Sequence, residues 1–178
     1  MLRCLLRDPG LTVSAVADRT GSPIVLASQY LRALNARGLI AADRQGKYVR
    51  YRPAADASVA SAGPLLSALR RMFAKEANPV DLVFHLTTAF THPRRVAIAQ
   101  ALAGRPMTTA ALVRATRISN AAMKRHLAKL VQRGFVMNAG GKWDLTCPRH
   151  ALAITLLGLA AGRECAAHTL QSVSRPKH

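Results

Sequence analysis

Apolar residues recur at helical spacing in several separate stretches of the chain, and glycine or proline closes most of them. One inward stripe runs Ala27, Leu31, Leu34, and a second runs Met123, Leu127, Leu130. Each reads as the buried face of an amphipathic helix. Gly38 and Gly134 then stand where a left-handed residue ends such a helix. Beyond them, two apolar half-strands flank a Gly-Lys pair, in GLIAADRQGKYVRYRP (Gly38 to Pro53) and again in GFVMNAGGKWDLTCP (Gly134 to Pro148). That layout predicts a β-hairpin, with Gln45-Gly46-Lys47 or Gly140-Gly141-Lys142 at the turn.

The likeness between the two stretches extends upstream. LTVSAVADRTGSPIVLASQYLRALNARGLI from Leu11 lies over MTTAALVRATRISNAAMKRHLAKLVQRGFV from Met107, so that Thr12 meets Thr108, Ala15 meets Ala111 and Thr20 meets Thr116. Leu31 and Leu34 meet Leu127 and Leu130, and Arg37-Gly38 meets Arg133-Gly134. Internal repetition of this kind means one structural unit used twice. Each copy predicts a short helix (Leu2 to Arg7, Arg94 to Ala103) broken by Pro9-Gly10 or Gly104-Arg105-Pro106. Thr12 and Thr108 suit the N-cap of a second helix with Ala15, Val16 or Ala111, Leu112 inward. After turns at Thr20-Gly21 and Thr116-Arg117, Ser22 and Ser119 suit the cap of the third helix, with Pro23 at its first position in copy one.

A helix-turn-helix followed by a hairpin is a winged helix. The expected fold is therefore mainly α with small β-hairpin wings: two winged helix-turn-helix domains joined by helices. Residues 1–56 and 91–148 form the two domains. Residues 57–90 form a helical linker, with helices starting at Pro64 and Pro79. Residues 149–178 supply a C-terminal helix, from about Arg149 to Leu170, and a frayed tail. The helices outside the winged cores carry apolar surface expected to pack the copies together.

Composition narrows the partners. The 178 residues are half hydrophobic, enough for a core, and carry 26 Lys and Arg against 8 Asp and Glu, formally +18. Such a surplus suits a polyanion, above all nucleic acid. Three cysteines, Cys4, Cys147 and Cys165, make no disulfide framework and fit a reducing compartment. No apolar run reaches the roughly 18 residues of a membrane span, and the start lacks a signal-peptide core. A cytoplasmic location is expected.

The stretch THPRRVAIAQALAGRPMTTAALVRATRISNAAMKRHLAKLVQRGFV resembles the core of the ArsR-type winged-helix regulators. The likeness is carried by the His-Pro-Arg-Arg start and by Lys124-Arg125-His126-Leu127, Leu130, Gly134, Phe135 and Val136. Copy one resembles the family through SQYLRALNARGLI and its wing, ADRQGKYVRYRP. The family works as a two-fold homodimer with one winged helix per subunit, so two copies in one chain imply a covalent pseudo-dimer. A further homodimer stays open. The resemblance places His126 on the third helix, bonded to backbone or phosphate.

In this fold the third helix enters the major groove and its first residues reach base edges. Copy two offers Asn120, Ala121, Lys124 and Arg125, with Lys129 farther along, residues suited to adenine, thymine methyls and guanine. Between Thr91 and His150 eleven Lys or Arg face a single acid, Asp144. Copy one offers Ser28, Gln29 and Arg32 beside Ile24 and Val25, which could meet thymine methyls or be covered by protein. Its wing carries Arg44, Lys47, Arg50 and Arg52 with Tyr48 and Tyr51 between them, a set suited to phosphates. Wing two has Lys142 and a packing residue, Trp143. His85 reads as a core-edge residue and His92 as a cap.

The family's usual cysteine motif is missing. Cys147, His150, Cys165 and His168 form two CxxH pairs that could hold zinc tetrahedrally, and they also fit chance pairs near a chain end. No cofactor is expected. With no phosphate-binding glycine loop, no paired carboxylates and few acids, no enzyme is expected either. The expected function is a DNA-binding transcriptional regulator, a repressor, acting on double-stranded DNA, with its effector open. The alternatives are an architectural or replication-associated DNA binder of low specificity, and a winged-helix protein scaffold.

Overall fold

A computed structural model describes residues 1–146 and 148–162. The chain divides into two compact units, Met1–Asp81 and Leu82 onward. In the first unit, α1 (Leu2–Arg7), α2 (Val13–Thr20) and α3 (Ile24–Ala36) precede a hairpin of β1 (Ile40–Gln45) and β2 (Tyr48–Pro53), and α4 (Ala62–Lys75) follows. The division falls inside α5 (Pro79–Thr87). The second unit holds α6 (Pro93–Leu102), β3 (Met107–Thr108), α7 (Thr109–Thr116), α8 (Asn120–Gln132), β4 (Val136–Ala139), β5 (Lys142–Leu145) and α9 (Ala151–Ala161). This mainly helical structure with small antiparallel hairpins is consistent with a winged helix-turn-helix.

The helix ends are set by local chemistry. The Thr12 hydroxyl accepts the Ala15 amide at 3.3 Å and Thr108 accepts that of Ala111 at 3.2 Å, so both caps form as the sequence predicts. The third helices stop identically. Gly38 and Gly134 have φ of 68° and 75°, and their amides reach Asn35 and Val131, while Leu39 and Phe135 reach Leu34 and Leu130. That pair of bonds is the Schellman arrangement. The expected serine caps differ. Pro23 stands at the N-cap of α3, and the Ser22 hydroxyl turns back to Thr20. Ser119 does occupy the cap of α8 but makes no side-chain cap bond. A proline locked in extended φ/ψ can start a helix without a capping oxygen.

Each wing is seated on its core by a few residues, Ile40 and Tyr51 in the first and Val136 in the second. Leu5, Val16, Leu31, Ile40 and Tyr51 form one buried cluster of the first unit. Leu39, Ala62 and Leu66 form another, so α4, expected within a helical linker across 57–90, packs into the core of the first unit. In the second unit Ile98, Leu102, Leu112, Met123, Leu127, Leu130, Phe135 and Leu152 are almost fully buried. Phe90 meets Phe135 edge-on, ring centres 4.8 Å apart.

Wing two gains a strand that its alternation does not announce. The three strands run β3-β5-β4, with Met107 opposite Trp143 and Thr108 opposite Lys142. In the first unit the same position is a single bridge, Leu11 to Tyr51. Lys142, expected in the turn, is the first residue of β5 and pairs with Ala139. Gly140 and Gly141 alone form that turn, both at positive φ, as a two-residue turn with right-handed strand twist requires. The expected C-terminal helix is α9, which starts at Ala151 and ends at Ala161, where Gly162 adopts a left-handed φ of 68°. Residues 163–170 of that expected helix, and the tail, lie outside the described residues. Among the described residues no helix is long and apolar enough to cross a membrane.

Candidate nucleic-acid interface

The packing of α8 decides which of its residues are free. Ala122, Met123, Leu127 and Leu130 are buried, which turns Asn120, Ala121, Lys124, Arg125 and Ala128 outward, all exposed. At 3.6 residues per turn these five share one face across the first two and a half turns. The face mixes a bidentate amide, two cations and two methyl-sized residues. Its small side chains allow close approach, and its polar ones can read base edges. Lys129 lies off this face, half-buried, with Nζ donating to Gln132 Oε1 at 3.1 Å.

The equivalent face of α3 is Ile24, Val25, Ser28, Gln29 and Arg32. Ile24 and Val25 are 57% and 66% exposed. Arg32 folds back on its own helix, its Nε and Nη2 donating to Ser28 Oγ at 3.3 and 2.9 Å. Gln29 is left as the one fully outward amide of the set.

Wing one is more internally bonded than its composition suggests. Register pairs Asp43 with Arg50 and Ala42 with Tyr51, so Tyr48, Arg50 and Arg52 share one face and Tyr51 takes the other. Tyr51 is therefore in the core, 8% exposed, and not interleaved with the cations as expected. Arg52 Nε donates to Asp43 Oδ2 at 2.7 Å, a diagonal cross-strand pair. Arg50 Nη1 donates to the Gly10 carbonyl at 2.9 Å. The tip carries Arg44, whose Nε reaches the Gly46 carbonyl at 3.3 Å, and Lys47, stacked 5.3 Å from the Tyr48 ring centre. In wing two Lys142 is exposed, and Trp143 Nε1 donates to Thr109 Oγ1 at 2.9 Å, a packing role.

The second unit also exposes Arg94, Arg105, Arg114, Arg117 and Arg149, none of which the sequence pattern assigned to the DNA surface. Arg117 occupies the helix-turn-helix corner at a φ of 56°, the same left-handed corner that Gly21 fills in the first unit. A charged residue standing where the first unit has glycine is the signal that could have found it. No ion pair within the second unit is found among the described residues, whereas the first has Arg52–Asp43 and Arg19–Asp8.

His92 caps α6, its Nδ1 accepting the Arg94 amide at 3.1 Å, as expected. Its ring lies 4.6 Å from that of His126 on α8. Burial, then the nearby His92, Arg95, Arg94 and Arg125, hold the His126 pKa below the usual histidine value. Arg95 is tied to the Ala89 and Thr88 carbonyls, and burial lowers its pKa as well. His85 bonds Arg133 Nη1 through Nδ1 at 2.7 Å; the guanidinium can only donate, so this nitrogen is the acceptor.

His150 caps α9, its Nδ1 accepting the Leu152 amide at 3.1 Å. Cys147, Cys165 and His168, the rest of the candidate zinc set, lie outside the described residues. Among the described residues no group of three or more His, Cys, Asp or Glu is placed to hold a metal.

A helix-turn-helix domain family matches residues 90–137, from the segment before α6 into β4. The chain thus carries a helix-turn-helix domain there, which points to DNA as its partner. No curated protein matches the chain.

Proposed function

We propose that the chain is a DNA-binding transcriptional regulator, a repressor of ArsR-like type, that uses both units as a tandem winged helix. The observation that carries this is the outward face of α8, Asn120, Ala121, Lys124 and Arg125, inside the matched helix-turn-helix region. The shared order of elements, the paired threonine caps and the paired glycine stops support the tandem reading. One chain then supplies two reading helices as a pseudo-dimer, and occlusion of a promoter by both is the simplest route to repression. The function is binding, with no catalytic step. In the first unit, the exposure of Ile24 and Val25 favours contact with thymine methyls or with protein over polar readout.

Selection from a random pool of duplexes tests this. A recovered site should be asymmetric, with the stronger base preference in one half. Log affinity for it should fall with log salt with a slope of roughly −5 to −9, for about 6–10 neutralised phosphates. A slope near zero removes DNA as the partner. A perfect palindrome bound by two chains removes the pseudo-dimer.

A further inference from the structure

Behind wing one, a cavity of about 530 Å³ opens among α1, the end of β2 and α4, wholly within the first unit. Four arginines line it, Arg3, Arg7, Arg52 and Arg70, with no acid among its lining residues, and Leu6 and Phe73 contribute apolar wall. The guanidiniums are not equally engaged. Arg52 is held by Asp43 at 2.7 Å, and Arg70 Nη2 donates once, to the Pro53 carbonyl at 3.2 Å. Arg3 and Arg7 have neither ion-pair nor hydrogen-bond partner among the described residues. They stand one helical turn apart on a helix of only six residues, where like charges repel and weaken the helix by a few tenths of a kcal/mol.

We propose that this cavity is a binding site for a small organic anion, a carboxylate or phosphate group on an apolar body. The anionic group sits between Arg3, Arg7 and Arg70, where guanidinium forks match a planar or tetrahedral oxyanion. The body lies against Leu6 and Phe73. The volume is that of an ordinary small-ligand pocket, and apolar walls with a few convergent polar groups are the usual makeup of one. A DNA phosphate is a poorer occupant: the cavity is concave, and Arg52 lies at the far end of β2 from the Gly46-Lys47 tip, roughly 17 Å away at about 3.4 Å per residue. The site is independent of the DNA-binding proposal, because its occupancy is measured without DNA.

The test is calorimetric titration of the full chain with 4-phenylbutyrate, an aryl-tailed carboxylate, as the probe. One saturable site is expected, with 4-phenylbutanol, which lacks the charge, and acetate, which lacks the body, each about tenfold weaker or more. Arg3→Gln with Arg7→Gln should weaken 4-phenylbutyrate by about tenfold, while Arg44→Gln with Lys47→Gln, which removes as much charge at the wing tip, leaves it unchanged. Circular dichroism checks that both variants keep their helices, and the comparison of the three probes on the unaltered chain does not depend on either variant. Three results overturn the proposal: no saturable binding at millimolar probe, acetate binding as tightly as 4-phenylbutyrate, or equal loss in the two double variants.

Discussion

Helices α3 and α8 are each 13 residues long and end on the same pair of backbone bonds. Their inward stripes correspond position by position, Ala27, Leu31 and Leu34 with Met123, Leu127 and Leu130. Their outward faces have nothing in common. Where α8 presents Asn120, Ala121, Lys124 and Arg125, α3 presents Ile24, Val25, Ser28 and Gln29. Packing and chain reversal constrain the inner face and the ends, since a wrong residue there costs stability directly. The outer face answers only to whatever it touches. Under the proposed function, two units with matching inner faces and different outer ones would touch different things.

The sharpest way to break this comparison is to remove the polar face of one helix at a time. Lys124→Ala with Arg125→Ala should cost about 1–3 kcal/mol for each base that is no longer hydrogen-bonded, and should relax sequence preference. Ser28→Ala with Gln29→Ala should cost no more than about 1 kcal/mol in total. Fluorescence anisotropy on the selected duplex measures both, and equal losses would mean that the two faces read DNA alike.

The next effect separates the units by stability. Alanine at Gly38 or Gly134 must adopt a left-handed φ, worth about 1–2 kcal/mol. At Gly38 the new Cβ would also lie 2.9 Å from Asp56 Cβ and 3.1 Å from Val59 Cβ, whereas at Gly134 it meets nothing within 4 Å. Gly38→Ala should therefore lower the thermal midpoint more than Gly134→Ala does. The close approach has a local cause: the Asp56 amide donates to the Gly38 carbonyl at 2.9 Å. The Asp56 carboxylate in turn accepts the Ser58 hydroxyl and amide, which lowers its pKa.

A smaller effect of opposite sign is expected at the helix-turn-helix corner. Arg117→Gly removes a left-handed penalty of about 1–2 kcal/mol and adds back roughly 0.5–1 kcal/mol of unfolded-chain freedom. The variant should unfold later in denaturant by a margin of up to about 1.5 kcal/mol, and Gly21→Arg should do the reverse. No gain at Arg117 would show that its side chain makes a compensating contact.

The smallest effect concerns pH. His126 has a folded pKa below its ordinary value of 6.5, so the unfolded chain takes up this proton first. Stability contributed by the neutral ring is complete above the ordinary value, falls as pH drops through the window below it, and levels off beneath the folded pKa. His126→Gln should flatten the midpoint-against-pH curve in that window, and an unchanged curve would remove His126 from the titration. The first unit has no histidine at all, which makes this dependence a property of the second.

What could be read from the residues alone was what local chemistry decides. Thr12, Thr108, Gly38 and Gly134 act within four residues of themselves, and the inward stripes follow from helical period. The features that stayed hidden depend on distant partners. Tyr51 looks like one of a row of wing residues until strand parity turns it into the core. Arg50 and Arg52 look free until Gly10 and Asp43 arrive from other segments. β3 is two residues long, too short for any alternation, and exists only because β5 comes alongside. The allegiance of α4 to the first unit rests on Leu39, which lies far from it in the chain. The basic face of α8 was legible because both its inner stripe and its outer residues fall on one helix.

Thr108 holds two posts at once. Its backbone is the edge of the β3-β5-β4 sheet, opposite Lys142, and its hydroxyl caps α7. Wing and helix-turn-helix are therefore joined through a single residue with no slack between them, and Trp143 adds a second tie by its bond to Thr109. A wing fastened this way cannot swing independently of the helices beside it. For the duplex binding proposed above, little conformational freedom would remain to be lost, and the ordering cost that flexible arms carry on binding would be largely met in the folding of the chain.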